Sequence, residues 1–262
     1  MIKLIASDMD GTLLDENGNL PIGFHNTLKE LDKRKVQFIV ASGRPYKTLR
    51  ENFKPVSDDL YFICDNGSYV VEKGTVLNIS IIDKLLVNEV IALSENIKEI
   101  NVMLCGTKGT YHTTLNEGIS DEVKKYYLDL IEVKNLLDVD DDIFKITIYD
   151  KKISAENSYK SLNAEFEKDL AVVVSGEHWL DINNKDISKG AALEVIQKRD
   201  NISFCETMVF GDNFNDVSML EKAHYSFVME NATEKMKTYG NYIAKSNSEN
   251  GVIHAINKYV LI

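Results

Sequence analysis

Two carboxylates two residues apart, Asp8 and Asp10, stand in Ser7-Asp8-Met9-Asp10-Gly11-Thr12, straight after the apolar run Leu4-Ile5-Ala6. A run that short, closed by acidic residues and a glycine, reads as a buried strand ending in a tight loop. Alternate residues of an extended chain point to one side, so both carboxylates can leave the strand end together. Two such groups repel unless a cation or a proton lies between them. Mg²⁺ suits the pair: it is hard, takes oxygen ligands, and commonly uses one or two carboxylates together with substrate phosphate. Gly11 lets the backbone bend, and loop N–H groups can then cradle an anion. An EF-hand is excluded, because Gly11 directly follows Asp10 and the loop's twelfth position is Asn19 rather than a bidentate Glu.

Three further polar clusters follow apolar runs in the same way. Ser42-Gly43-Arg44 follows 36–41, Asp65-Asn66-Gly67 follows 60–64, and Gly211-Asp212-Asn213-Phe214-Asn215-Asp216 follows 207–210. Phe24, Leu28 and Leu31 recur at helical spacing between the first two runs, and Tyr46 and Leu49 mark a second helix. Strand, helix, strand, helix, strand predicts a parallel sheet with right-handed crossovers. Its strand ends share one edge, and ligands bind in the crevice outside that edge. Asp8, Ser42, Asn66 and Asp212 are therefore expected to meet. Mg²⁺ held by Asp8, Asp212 and Asp10, the last through side chain or backbone carbonyl, would relieve the repulsion among three acids. Lys189, in Ser188-Lys189-Gly190 at the head of a helix containing Ala191, Ala192, Val195 and Ile196, is a positive point charge suited to phosphate. Ser42 is a neutral donor for a phosphate oxygen.

The elements that must position these groups are interrupted by a stretch of different rhythm, 83–187. It opens with a helix carrying Leu86, Val90, Leu93 and Ile97 on one face. Strand-like runs follow at 101–104, 110–113, 144–149, 171–175 and 178–182, with helical candidates near 120–130 and 155–168. Ile146 and Ile148 alternate with Lys145 and Thr147, which predicts a sheet with one wetter face. The acidic run Asp138, Asp140, Asp141, Asp142 reads as a solvated loop. From Ile187 the parallel rhythm resumes, with a helix through Val217 and Leu220 and strands at 225–229 and 242–244. The expected fold is α/β: a Rossmann-like doubly wound parallel sheet core, 1–82 and 188–262, with an inserted α+β domain, 83–187.

A chain of 262 residues suits two domains of ordinary size. Its net charge of −11 argues against nucleic acid as a partner, while a local cation and lysine can still attract an anionic substrate. Cys64, Cys105 and Cys205 are far apart and form no metal-ligand pattern; their apolar neighbours predict reduced core thiols and a cytoplasmic protein. No apolar stretch approaches eighteen residues and no basic leader precedes one, so no membrane association is expected.

The set Asp8-Met9-Asp10-Gly11-Thr12, Ser42-Gly43-Arg44, Ser188-Lys189-Gly190 and Gly211-Asp212-Asn213-Phe214-Asn215-Asp216 resembles the haloacid dehalogenase superfamily. The long insertion between the second and third motifs is similar to the C2B cap of its Cof-type phosphatases. The resemblance spans essentially the whole chain, and no motif departs from the pattern. It implies a Mg²⁺-dependent phosphatase of small phosphorylated metabolites, sugar phosphates or similar. A monomer or weak homodimer is expected. In that reading Asp8 is the nucleophile and Asp10 the acid and base. Ser42 and Lys189 hold phosphoryl oxygens, and Asp8, Asp10, Asp212 and Asp216 serve the metal. Met9, Gly43, Arg44, Asn66, Gly67 and Asn215 face the substrate from the core. His178, beside Trp179, Asp181 and Asn183, is the candidate from the cap. Asp10 itself points to phosphatases, since dehalogenases lack an acid two residues after the nucleophile. A phosphomutase is disfavoured because no arginine lies between Arg50 and Arg199. A non-catalytic phosphate or Mg²⁺ sensor would be expected to lose Asp8 or Asp10, and both are present.

Overall fold

A computed structural model describes residues 1–115 and 118–261; Asn116, Glu117 and Ile262 lie outside the described residues. The chain divides into two compact units, a core of Met1–Asn78 with Ser188–Ile262 and an insert of Ile79–Ile187. The sequence reading draws the first boundary after Ile82; the contacts draw it after Asn78.

In chain order the first part runs β1 (Leu4–Asp8), α1 (Phe24–Lys33), β2 (Gln37–Ala41), α2 (Tyr46–Asn52), β3 (Tyr61–Cys64), β4 (Tyr69–Glu72) and β5 (Thr75–Ile79). The insert follows as α3 (Lys84–Ser94), β6 (Ile100–Gly106), β7 (Thr110–His112), α4 (Ile119–Tyr126), β8 (Leu130–Glu132), β9 (Ile143–Asp150), α5 (Ser158–Phe166), β10 (Leu170–Val174) and β11 (Trp179–Asn184). The chain returns through α6 (Lys189–Asp200), β12 (Thr207–Gly211), α7 (Val217–Leu220), β13 (Tyr225–Met229), α8 (Glu234–Lys237), β14 (Tyr242–Ala244) and α9 (Gly251–Tyr259).

The core sheet has the order β14-β13-β12-β1-β2-β3-β4-β5. Pairing is parallel from β14 to β3 and turns antiparallel between β3 and β4. Alternate strand residues feed two apolar layers. Ile5, Val40, Phe62 and Phe210 pack with Phe24, Leu31, Leu49, Val252 and Ile256 of α1, α2 and α9. Leu4, Ala6, Ile39, Ile63 and Val209 pack with Leu193, Ile196, Met219 and Met236 of α6, α7 and α8. Helices cover both faces, so the parallel strands read as continuous apolar runs, which is why the sequence shows them. Four core elements escaped that reading: β4, β5, α8 and α9. β4 and β5 flank a two-residue turn in which Lys73 and Gly74 both take positive φ (46° and 81°), the backbone that suits a tight hairpin. β5 is half-exposed and makes no buried run, while β4 buries only Val70 and Val71. α9 begins at Gly251 and is marked only by Val252, Ile253 and Ile256.

The insert sheet runs β10-β11-β9-β6-β7-β8, antiparallel at each described pair except β7 with β8. Ile146, Ile148, Leu180 and Ile182 pack under Val87, Val90, Leu162 and Phe166 of α3 and α5. Three expectations need correction here. The helix near 120–130 stops at Tyr126, and Leu130 already belongs to a strand. Lys145 and Thr147 do alternate with the core residues, yet both are buried: Thr147 donates to Asp181 (2.7 Å) and the Lys145 ammonium lies over the Tyr127 ring. Asp141 is not a freely solvated loop residue. It accepts from Thr107 Oγ1, Lys108 N and Tyr111 OH (2.5, 2.8 and 3.0 Å), and these bonds outweigh burial to hold its carboxyl below the usual range. Of the cysteines, Cys64 and Cys105 are buried but Cys205 is exposed.

Candidate active site

β1, β2, β3 and β12 end side by side, and the polar cluster after each meets at that edge, as parallel pairing requires. Asp8 closes β1 and is 7% exposed. Lys189, the first residue of α6, is 1% exposed, and its Nζ donates to Asp8 Oδ1 (2.5 Å) and Asp216 Oδ1 (2.7 Å). Asp216 is fully buried; its Oδ2 accepts from the backbone N–H groups of Asp212 and Asn213 (3.0 and 3.1 Å). Asp212 Oδ1 in turn accepts from Thr12 Oγ1 (2.8 Å). The sequence reading gave Lys189 to phosphate; in this structure it is the counter-ion of two buried carboxylates.

The charges do not balance. Asp8, Asp212 and Asp216 each bring a carboxylate oxygen within 4.8 Å of the others, against one ammonium. Burial, reinforced by the charge of Asp216, pushes the Asp8 carboxyl well above its usual range despite Lys189. Burial raises Asp212 also, against the pull of the Thr12 hydrogen bond. For Lys189, burial opposes the charge, but the Asp8 and Asp216 carboxylates outweigh it and hold the ammonium above its ordinary value. Hard oxygens with surplus negative charge fit a divalent cation. The Asp10 carboxylate is not in this cluster: Arg44 grips it through Nε (2.9 Å) and Nη2 (2.6 Å).

Close approaches of backbone define the rest. A Cβ on Gly11, whose φ is +77°, would lie 2.5 Å from Asp212 Oδ2, so only glycine lets the first loop lie against the fourth. Ser42 is buried and its Oγ accepts from Arg44 N (3.2 Å). Asn66 N donates to Ser42 O (3.0 Å), and Asn66 Oδ1 accepts from Asn215 Nδ2 (3.1 Å). Gly43 lies against that amide: a Cβ there would be 3.2 Å from Asn66 Nδ2. Met9 puts its side chain into the apolar core, leaving only its backbone for a ligand. Gly67 has a packing reason, since its Cβ would meet Ser188 O at 2.4 Å. His178 lies in the insert, where Nδ1 bonds the carbonyls of Asp150 and Lys152 (2.9 and 3.0 Å) and the ring packs by Tyr149. Trp179 packs on Tyr126 and Tyr149.

Asn231 was missed. Its Nδ2 donates to Gly11 O (2.8 Å) and its Oδ1 accepts from Asn247 N (3.1 Å), while Asn247 Nδ2 reaches Leu14 O (2.9 Å). Together they pin the loop after β1. The rule that found Asp8, Ser42, Asn66 and Asp212, a polar residue just past an apolar strand, also picks out Asn231 after β13.

The family model described as haloacid dehalogenase-like hydrolase matches residues 5–256, and the chain belongs to that family. It is 29% identical over 259 residues to the 5-amino-6-(5-phospho-D-ribitylamino)uracil phosphatase YbjI of Escherichia coli (strain K12), covering 98% of this chain and 96% of that one. Among solved structures, SMU.1108c of Streptococcus mutans UA159 is 32% identical with a TM-score of 0.87, all of both chains being covered. BT4131, described as a subclass IIB sugar phosphatase, has a TM-score of 0.80 at 22% identity over 99% of this chain and 100% of that one, a likeness of fold. Among the described residues no helix is long and apolar enough to cross a membrane.

Proposed function

We propose that this hydrolase cleaves phosphate monoesters of small polyol or sugar-like metabolites, with Asp8 as nucleophile. The observation that carries the reading is the setting of Asp8: a nearly buried carboxylate at a strand end, bonded to Lys189, with an acid two residues on. One Asp8 oxygen attacks phosphorus as the ester P–O bond breaks, giving an aspartyl-phosphate. Asp10 gives a proton to the departing alkoxide, then takes one from the water that hydrolyses the intermediate. Ser42 and Lys189 hold the phosphoryl oxygens, with Asn215 and Asn66 beside them. Asp8, Asp212, Asp216 and the Asp10 carbonyl would hold Mg²⁺, which when bound supplies charge against the phosphoryl oxygens. The likeness to YbjI, whose name specifies a phosphoribityl compound, supports a phosphorylated polyol chain as the substrate class. Within this proposal the insert acts as the cap that discriminates leaving groups, with His178 its candidate contact.

The test is phosphate release from p-nitrophenyl phosphate and a panel of sugar, polyol and cofactor phosphates, with Mg²⁺ and with EDTA. Mg²⁺-dependent release that Asp8→Asn abolishes is the expected result. A folded native protein that releases no phosphate from any of them contradicts the proposal.

A further inference from the structure

Arg44 was assigned to the substrate by its place in the second motif, but its side chain is committed elsewhere. Its backbone is fixed on both sides, N donating to Ser42 Oγ (3.2 Å) and O accepting from Asp65 N (3.1 Å). Its guanidinium grips both oxygens of Asp10 through Nε and Nη2. With the Asn52 amide oriented so that Nδ2 donates to Thr48 O (3.2 Å), Asn52 Oδ1 accepts from Arg44 Nη1, also at 3.2 Å. The arginine is thus braced from α2 and held against the loop after β1. Exposed ion pairs usually contribute little, but a two-point fork braced from behind is the exception, because it fixes the plane of the carboxylate. Asp10 is about half exposed in the structure, and its backbone departs from helical geometry within the loop. Arg44 and the loop are what give its carboxylate a defined direction.

We infer that Arg44 is a positioning residue for Asp10, orienting its carboxylate for the water that attacks the Asp8-bound phosphoryl group. This rests on the proposed function. In that step the water oxygen bonds to phosphorus and its proton passes to Asp10. The bond from phosphorus to the Asp8 oxygen breaks, returning its electron pair to the Asp8 carboxylate. A phenolate that leaves without a proton makes little demand on Asp10 in the first step. With p-nitrophenyl phosphate, loss of Arg44 should therefore slow only the second.

Stopped-flow kinetics of Arg44→Met on p-nitrophenyl phosphate with Mg²⁺ decide the matter. Expected is a burst of nitrophenolate approaching one equivalent per protein, followed by turnover slowed about tenfold or more. KM should fall with kcat, leaving kcat/KM within about twofold of native. Arg44→Lys keeps the charge without the fork and should fall between. If Arg44→Met fails to fold, Asn52→Ala, which removes only the brace, should show the same split at smaller size. A raised KM with kcat unchanged and no burst would overturn the inference and return Arg44 to substrate binding. Asp10→Asn separates the two levels. If it turns over at the native rate, the assignment of Asp10 fails; if it bursts while Arg44→Met does not, only the role of Arg44 fails.

Discussion

Lys189 is one ammonium buried between two carboxylates, Asp8 and Asp216. Lys189→Met would leave two buried carboxylates without their counter-ion. The expected cost is about 3–5 kcal/mol of stability, read by urea unfolding in EDTA, together with loss of phosphate release. A loss below about 1 kcal/mol would mean that the acids relax to water and that the ion pair does not hold the site together. At this scale the sequence was legible where chemistry and position coincide. Asp8, Ser42, Asn66 and Asp212 each follow an apolar run, and each reached the common edge. Partnership was not legible. Nothing in the spacing of Arg44 and Asp10, thirty-four residues apart, says that they form a forked pair. Nothing in Lys189 says that it faces two carboxylates before it meets a phosphate.

Elements set these groups by close approach, so glycines at the contacts should be costly in a specific way. A Cβ on Gly190 would lie 2.1 Å from Ser218 O, which forces α6 off α7 and carries Lys189 with it. Gly190→Ala should lower the melting temperature and phosphate release together. Gly18 is a control: its φ is +77°, but nothing lies within 4 Å of its Cβ position. Gly18→Ala should cost about 1 kcal/mol from strain alone and leave kcat unchanged. Equal effects of the two on kcat would count against α6 placement as the link. In the insert, the carbonyls of Lys152 and Asp150 hold His178 above its ordinary value. A histidine raised on folding contributes stability below its unfolded value and loses it as pH rises through the folded one. An NMR titration should find His178 titrating above ordinary histidine, with the insert weakening as the proton leaves; a value at or below ordinary removes the effect. Most core strands buried on both faces were readable in the sequence as apolar runs. β5 and the short β8 were lost where exposure erases the run, whereas β4 was lost although Val70 and Val71 are buried, because those two make too short a run.

At the scale of the whole molecule, a net charge of −11 and a core site with surplus carboxylates lead, in the proposed function, to a divalent cation acting as a stabilising ligand. A ligand that binds only the folded state at a hundred times its Kd stabilises by about 2.7 kcal/mol. Mg²⁺ should therefore raise the melting temperature of the native chain and EDTA lower it. The shift should vanish in Asp212→Asn; an equal shift in that variant would place the ion elsewhere. The order of units, core then insert then core, was legible because the parallel rhythm stops and resumes. The first boundary was not, since the apolar residues of β5 run on through Ile81 and Ile82 with no change of rhythm at Asn78.

In the proposed mechanism Asp8 becomes covalently phosphorylated. The direct measurement is acid quenching during turnover of Asp10→Asn with Mg²⁺ and p-nitrophenyl phosphate, followed by intact mass and peptide mapping. One added phosphoryl group is expected, acid-stable, hydroxylamine-labile and confined to the peptide carrying Asp8. Steady phosphate release by the native chain with no adduct in either form, or an adduct on any other residue, would contradict it.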